Sequence, residues 1–520
     1  MTLKRLILWF LTVLAVLSLG QDLLSSWNKP QIQNRLELYQ ANLLLHASEL
    51  RDNSSPVGNL QGFSKNLRQQ ADSTLQASRN ELEAIFKKSL EELEKPAQIS
   101  TNNLVEQENL AILTKQVDRY RSWLDDLDLN LGIIKADLNQ NDGAIQLWQS
   151  VIDRPGIKQN NDDLLISNLQ SERKSKIKTA GVLIGIWSNN PRLLPNADSL
   201  ISKNLDGWFR YRALSKLYQL QERESALNNL EITEQKLSQS AAFKLAIINI
   251  MPVLGGVVGT LLLIFLLVQR LLKGKESLLA TNGDLPWNTP WNGEIVWQVL
   301  VFGFFFISQL ALPLLFKGIG IQPPSNDARS QAAFVLFTYI ISATGGLGVL
   351  YLSIKQFLPL PTGWFQFQGK NWFWWGLGGY CMAIPLVLVV SLINQLIWHG
   401  QGGSNPILPI ALENRDGIAL SIFFITASIA APLYEEILFR GFLLPSLTRY
   451  LPVWGAIIIS SLLFALAHLS LSEVLPLATL GMMMGFVYTR SRNILSSMLL
   501  HCLWNSGTLI SLYILGSVST

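Results

Sequence analysis

The chain has 520 residues, of which 49% are hydrophobic and 15% are charged, and its formal net charge is +4. A charge this small, carried largely by Lys and Arg beside apolar stretches, indicates membrane topology and argues against nucleic-acid binding. The only cysteines, Cys381 and Cys502, exclude a disulfide framework and a cysteine-based zinc site. Several apolar stretches are long enough to cross a bilayer, so we predict an all-α, polytopic membrane protein.

The N-terminus begins with a targeting pattern. Lys4 and Arg5 precede a short apolar stretch that extends to Leu19. This pattern fits either a signal peptide or an uncleaved signal anchor over residues 1–20, and small residues such as Gly20 would suit a cleavage site. Either way, we expect the following segment to cross to the non-cytoplasmic side of the membrane.

Residues 21–243 are polar and contain no apolar stretch of membrane length. Apolar residues recur there at helical spacing, as in the stripe that includes Leu75 and Phe86. Two stretches, beginning at Leu131 and Ala213, resemble the middle of a tetratricopeptide unit, where small residues let two helices pack closely. We therefore predict a large extramembrane helical domain, repeat-like in character, that could dock a protein partner.

The rest of the chain is predominantly apolar. We predict transmembrane spans and connecting loops over residues 244–409, followed by a further membrane domain over 410–515. Positive residues at alternate span ends, such as Lys273 and Lys355, predict which ends face the cytoplasm. The membrane itself is left open between a bacterial plasma membrane and a thylakoid-type membrane. The predicted spans are 245–268, 295–316, 331–352, 372–398, 416–433, 453–469, 474–488 and 494–515.

One apolar stretch contains an unusual concentration of charge. Glu435, Glu436 and Arg440 lie inside it or at its edge. Ionisable side chains in a membrane segment are costly, and by default they mark a functional site. On a helix, Glu436 and Arg440 share a face because they are four residues apart. Arg440 can then hold Glu436 ionised, which leaves Glu435 as the candidate base.

Two further motifs place polar residues in the last spans. Phe464 and His468 are four residues apart, and so are His501 and Asn505, which puts each pair on one helix face. A single histidine in a membrane helix is more often a hydrogen-bonding residue between helices, worth about 0.6–2 kcal/mol. Two histidines together with the acid pair, the arginine and the asparagine instead favour a buried reaction site.

Taken in order, Glu-Glu-x-x-x-Arg, Phe-x-x-x-His and His-x-x-x-Asn resemble the CPBP family of intramembrane proteases. This family contains the type II CAAX prenyl endopeptidases and the bacterial Abi proteins. The resemblance covers residues 410–515 and does not extend to the N-terminal domain. It implies that Glu436 and Arg440 are the paired charges that support the site.

The resemblance also implies an activity and its residues. Glu435 corresponds to the glutamate that activates water, and His468 corresponds to the histidine that assists it. His501 and Asn505 correspond to the residues that stabilise the oxyanion. The expected protein is an intramembrane endopeptidase that cleaves a membrane-anchored protein or peptide. General base and oxyanion donors are the groups that this chemistry requires.

The sequence leaves the role of metal open. Glu435, His468 and His501 could supply the three ligands of a catalytic zinc ion, with water as the fourth. The family has been described both with and without a metal. Asparagine is a poor zinc ligand and Arg440 would repel a dication, which favours the metal-independent alternative.

A second function class also remains open. The chain could be a non-proteolytic membrane scaffold or a transporter-like protein whose polar residues are structural. The N-terminal helical domain motivates this alternative, because stacked helical repeats commonly bind other proteins.

Overall fold

The computed structural model describes residues 2–27, 33–50, 58–94, 104–154, 164–322, 324, 327–398, 402–403 and 416–516. Within these ranges every long element is a helix and no strand occurs, which confirms the predicted all-α class. The chain divides into two compact units. We call Gln33–Ile247 the helical unit, and Met1–Ile32 together with Ile248–Gly516 the membrane unit.

The helical unit surrounds a core that contains the fully buried Trp148 and Trp208. A Cβ atom on Gly132 would lie 2.3 Å from Nε1 of Trp148, so only glycine allows this close approach. The Trp148 indole donates to the Leu129 carbonyl at 3.1 Å. Small residues thus permit close helix packing here, while the tetratricopeptide-like repeat stays a prediction. The helices are α2 (Gln33–Ser48), α3 (Gly58–Glu94), α4 (Leu104–Asp137), α5 (Asn141–Asp153), α6 (Leu164–Trp187), α7 (Ala197–Asn204), α8 (Gly207–Leu220) and α9 (Glu224–Lys273), which continues into the membrane unit.

The membrane unit holds the apolar helices. In the described residues, eight helices are long and apolar enough to cross a membrane, and a shorter apolar helix accompanies them. The protein is therefore an integral, multi-pass membrane protein, as predicted. Besides the C-terminal part of α9, the helices are α1 (Leu3–Ser26), α10 (Gly293–Gly318), α11 (Ala328–Ile354), α12 (Trp372–Trp398), α13 (Gly417–Leu447), α14 (Val453–Leu466), α15 (Val474–Ser491) and α16 (Ile494–Gly516).

Helix α13 is longer than the span predicted for 416–433, because it continues through the charged motif to Leu447. It contains two π-helical segments, Thr426–Ala430 and Ile437–Leu443. Such segments inside helices frequently occur at functional sites. The helix can continue because Glu436 and Arg440 are both fully buried and bonded to each other, so neither charge meets lipid.

Helix α1 packs within the membrane unit. The Trp297 indole of α10 donates to Thr12 Oγ1 at 2.7 Å, and Ser26 Oγ accepts from the Leu471 backbone N–H at 3.2 Å. Gly20 lies inside this continuous helix, six residues before its end at Ser26. Cleavage after Gly20 would remove the residue that Trp297 contacts and detach Ser26 from the rest of its helix.

We propose that the mature protein retains α1 as an uncleaved anchor. The expected intact mass of the purified protein includes residues 3–26, and an N-terminal epitope tag stays attached. Mass spectrometry of protein from the native membrane and from a host that lacks signal peptidase activity provides the comparison. The proposal would be contradicted if protein from the native membrane began at Gln21 while protein from the host without signal peptidase activity kept residues 3–26.

Candidate active site

A cavity of about 750 Å³ lies in the membrane unit and contains residues of all three polar motifs. Helices α1, α10, α11, α13 and α16 contribute to its wall, together with the end of α14 and the segment that follows it. Glu435, His468, His501 and Asn505 all line it, as does Phe464. Residues separated in sequence are therefore brought to one chamber, large enough for water and a segment of peptide.

Glu435 faces this cavity and is held by one hydrogen bond. The Tyr339 hydroxyl of α11 donates to Glu435 Oε1 at 3.1 Å. The second oxygen, Oε2, has no hydrogen-bond partner in the described structure, and His501 Nε2 lies 3.9 Å from it. The Glu435 side chain as a whole is 16% exposed and lines the cavity, while Oε2 itself is buried. This carboxylate combines a fixed orientation with a free acceptor.

Glu436 points away from the cavity into a buried ionic network. Consecutive residues on a helix are rotated by about 100°, so the two glutamates cannot face the same direction. Arg440 Nη1 donates to Glu436 Oε1 at 2.7 Å, and His501 Nδ1 lies 3.0 Å from the same oxygen. Arg440 Nη2 also donates to the Gly481 carbonyl at 3.1 Å. The network ties α13 to α15 and α16 and orients the His501 ring.

Phe464 packs against the charged network and both histidines. The Arg440 guanidinium lies 4.6 Å from the centre of the Phe464 ring, in cation–π geometry. The His468 and His501 rings meet Phe464 edge to face, with centroids 4.9 and 5.7 Å away. An aromatic ring here excludes water from Arg440 while leaving the imidazoles at the cavity.

The backbone orients the remaining two motif residues. His468 Nδ1 lies 2.9 Å from the Phe464 carbonyl, which can only accept, so Nδ1 carries a proton and Nε2 is the basic nitrogen of the neutral ring. The Asn505 amide donates to the Ala427 carbonyl at 2.7 Å. Ala427 lies in the first π-helical segment of α13. The amide has a second N–H that this bond does not use.

Some expected contacts are present and others are not. Glu436 and Arg440 are paired as their spacing predicted. Among the described ion-pair contacts within 4.0 Å, Glu435 is joined by His501 and not by His468, the histidine expected to assist it. The described residues contain no group of three His, Cys, Asp or Glu that could hold a metal ion. The metal-bound alternative with Glu435, His468 and His501 as ligands stays a prediction.

Sequence reasoning missed Tyr339 as a partner of Glu435. Tyr339 lies on α11, 96 residues before Glu435, and no motif connects them. A tyrosine in an apolar span resembles the many aromatic residues that occur in membrane helices. The one signal that could have identified it is the position of its hydroxyl inside an apolar span, because a buried hydroxyl usually has a hydrogen-bond partner.

The fold and the site define a membrane protein with a cavity that is lined by an acid, two histidines and an asparagine. Residues 417–507 match the family described as type II CAAX prenyl endopeptidase Rce1-like. The predicted resemblance of the C-terminal core is thereby confirmed. The matched range contains every predicted site residue of the sequence motifs: Glu435, Glu436, Arg440, His468, His501 and Asn505.

Two known proteins are similar to this chain. The protein named "Putative membrane peptidase YdiL" of Bacillus subtilis is 26% identical over 208 residues, which cover 39% of this chain and 83% of that protein. The membrane-embedded CAAX protease MroQ of Staphylococcus aureus is 28% identical over 225 residues, which cover 41% of this chain and 89% of that protein. No solved structure matches the chain. These similarities support membrane protease activity.

Proposed function

We propose that this protein is an intramembrane endopeptidase that uses Glu435 as the general base. The observation that carries the proposal is that Glu435, whose Oε2 has no hydrogen-bond partner, lines one cavity together with His468, His501 and Asn505. A base must reach a water molecule, and donors must surround the carbonyl that the water attacks. The cavity offers both kinds of group within one chamber.

The proposed reaction is hydrolysis of a peptide bond. Glu435 accepts a proton from water as the hydroxide oxygen bonds to the carbonyl carbon. The oxyanion that forms is stabilised by N–H groups of His501 and Asn505. The proton then passes to the leaving nitrogen as the C–N bond breaks, and His468, basic at Nε2, assists these transfers at the cavity wall.

The buried network supports this chemistry without joining it. Glu436 accepts from Arg440 and from His501 Nδ1, which directs His501 Nε2 towards Glu435 and the cavity. A carboxylate at Nδ1 fixes the tautomer and the orientation of an imidazole. When Nε2 also carries a proton, His501 presents an N–H to the oxyanion.

We propose a membrane-anchored protein or peptide as the substrate. Glu435, His501 and Asn505 lie in helices of membrane length and His468 follows the shorter α14, so a bond presented beside the bilayer reaches them most easily. Lys273 follows the membrane part of α9, which favours placing the helical unit on the non-cytoplasmic side. That unit would recruit a protein partner or a substrate. Both bacterial plasma and thylakoid-type membranes fit these features.

A cleavage assay in proteoliposomes tests the proposal. Prenylated CAAX peptides and lipid-anchored peptides without a prenyl group serve as two substrate pools, with products identified by mass spectrometry. We expect cleavage of at least one pool by the wild type and a loss of about 100-fold or more in His468→Ala, typical of a lost acid–base group. Cleavage that persists in His468→Ala would contradict the role of this residue.

Metal content is measured on the same preparations. Plasma spectrometry of the wild type and His468→Ala is expected to detect no stoichiometric zinc in either, since the described residues form no metal-binding group. Zinc in the wild type that disappears in the variant would contradict the metal-independent mechanism and assign His468 as a ligand.

A further inference from the structure

Tyr339 is a polar residue of the cavity that none of the three motifs includes. It lies on α11, outside residues 417–507, and its hydroxyl donates to Glu435 Oε1 at 3.1 Å. The same hydroxyl is 3.5 Å from the Ala431 carbonyl, a longer and weaker alternative. A phenol has one proton to donate, and an ionised carboxylate is the better acceptor.

The packing of α11 against α13 holds this tyrosine in place. The Tyr339 ring meets the Tyr434 ring edge to face, with centroids 6.2 Å apart. Close approach of the two helices depends on Gly346, where a Cβ atom would lie 2.3 Å from the Tyr434 hydroxyl oxygen. Because α11 packs closely against α13, it holds the Tyr339 hydroxyl beside Glu435.

We propose that Tyr339 is a positioning residue that acts through Glu435. By binding Oε1, its hydroxyl fixes the rotation of the carboxylate, and this places Oε2 3.9 Å from His501 Nε2. A base must be held within a few tenths of an ångström to be effective, and partners that orient a reactive group control its efficiency. A helix outside the family match is thus required for a complete active site. This inference rests on the proposed function, because it assigns Glu435 as the base.

The first test is the kinetics of Tyr339→Phe, which removes one oxygen atom and retains the ring. We expect kcat to fall about 10-fold to 100-fold, the range for a lost hydrogen bond to a charged group, with KM and the melting temperature unchanged. Tyr351→Phe is the matched control, since Tyr351 is on the same helix and 59% exposed. An unchanged kcat in Tyr339→Phe, with an active wild type and an inactive Glu435→Gln, overturns the positioning role and leaves the proposed function intact.

The second test requires no substrate. Infrared difference spectra of ¹³C-glutamate-labelled protein, wild type minus Glu435→Gln, isolate the carboxylate bands of Glu435. The same difference recorded in the Tyr339→Phe background is expected to show a shifted carboxylate band, because the donor to Oε1 is gone. Tyr351→Phe is expected to leave the band in place. Identical bands with and without the Tyr339 hydroxyl would overturn the inference even if no cleavable substrate is found.

Discussion

Glu435→Gln is expected to lower the rate of cleavage by about 100-fold to 10,000-fold, the contribution typical of a general base. Glutamine has nearly the same shape as glutamate and keeps an oxygen that can accept from Tyr339. It cannot accept a proton from water at neutral pH, so the loss reports chemistry and not packing. The measurement is kcat in proteoliposomes, together with thermal unfolding of the same preparation in detergent.

A matched control variant separates this outcome from other causes. Glu276→Gln makes the same change at an exposed glutamate, and its activity is expected to equal that of the wild type. Cleavage that survives Glu435→Gln would eliminate Glu435 as the base. The non-proteolytic scaffold alternative instead predicts that Glu435→Gln and His468→Ala mainly reduce stability. Unfolding temperatures that match the wild type in both variants would count against that alternative.

Arg440→Met is expected to lower the free energy of unfolding by about 3–5 kcal/mol, the usual effect of removing one partner from a buried ion pair. Glu436 and Arg440 are both 0% exposed, and the variant leaves the carboxylate with His501 as its partner. The double variant Glu436→Gln/Arg440→Met removes both charges and is expected to be less destabilised than the sum of the single variants. Unfolding in mixed micelles with increasing SDS measures these differences.

An exposed pair in the same unit provides the matched control. Arg329 Nε lies 2.6 Å from Asp416 Oδ2, and the two side chains are 55% and 27% exposed. Arg329→Met is expected to cost no more than about 1 kcal/mol, because solvent screens an exposed ion pair. Equal losses in Arg329→Met and Arg440→Met would contradict the view that burial makes the Arg440 pair important.

The site shows which side-chain contacts can be predicted from helical spacing in the sequence. Residues four apart on a helix share a face whatever the rest of the protein does, so the Glu436–Arg440 contact followed from sequence. The same rule placed His501 and Asn505 on a face that meets α13, through Glu436 and the Ala427 carbonyl. Local periodicity was sufficient for the Glu436–Arg440 contact, which lies within one helix, but it did not predict which residues of α13 His501 and Asn505 contact.

Contacts between distant helices did not follow in this way. Nothing in the sequence joins Tyr339 to Glu435, or the Gly481 carbonyl to Arg440. The packing of Thr12 against Trp297 likewise depends on which apolar helices become neighbours. Hydropathy identifies membrane helices. Because it is almost the same on all their faces, it carries little information about which helices pack against each other.

The sequence alone determined that this is an all-α, multi-pass membrane protein, because apolar length is a local property. It also determined which charged and polar residues are candidates for the site, because charge in a membrane segment is too costly to be incidental. Only the tertiary structure decided that His501, and not His468, lies within 4.0 Å of Glu435. It also decided that α11 supplies a hydroxyl to the candidate base. Both depend on the packing of helices that are far apart in the chain.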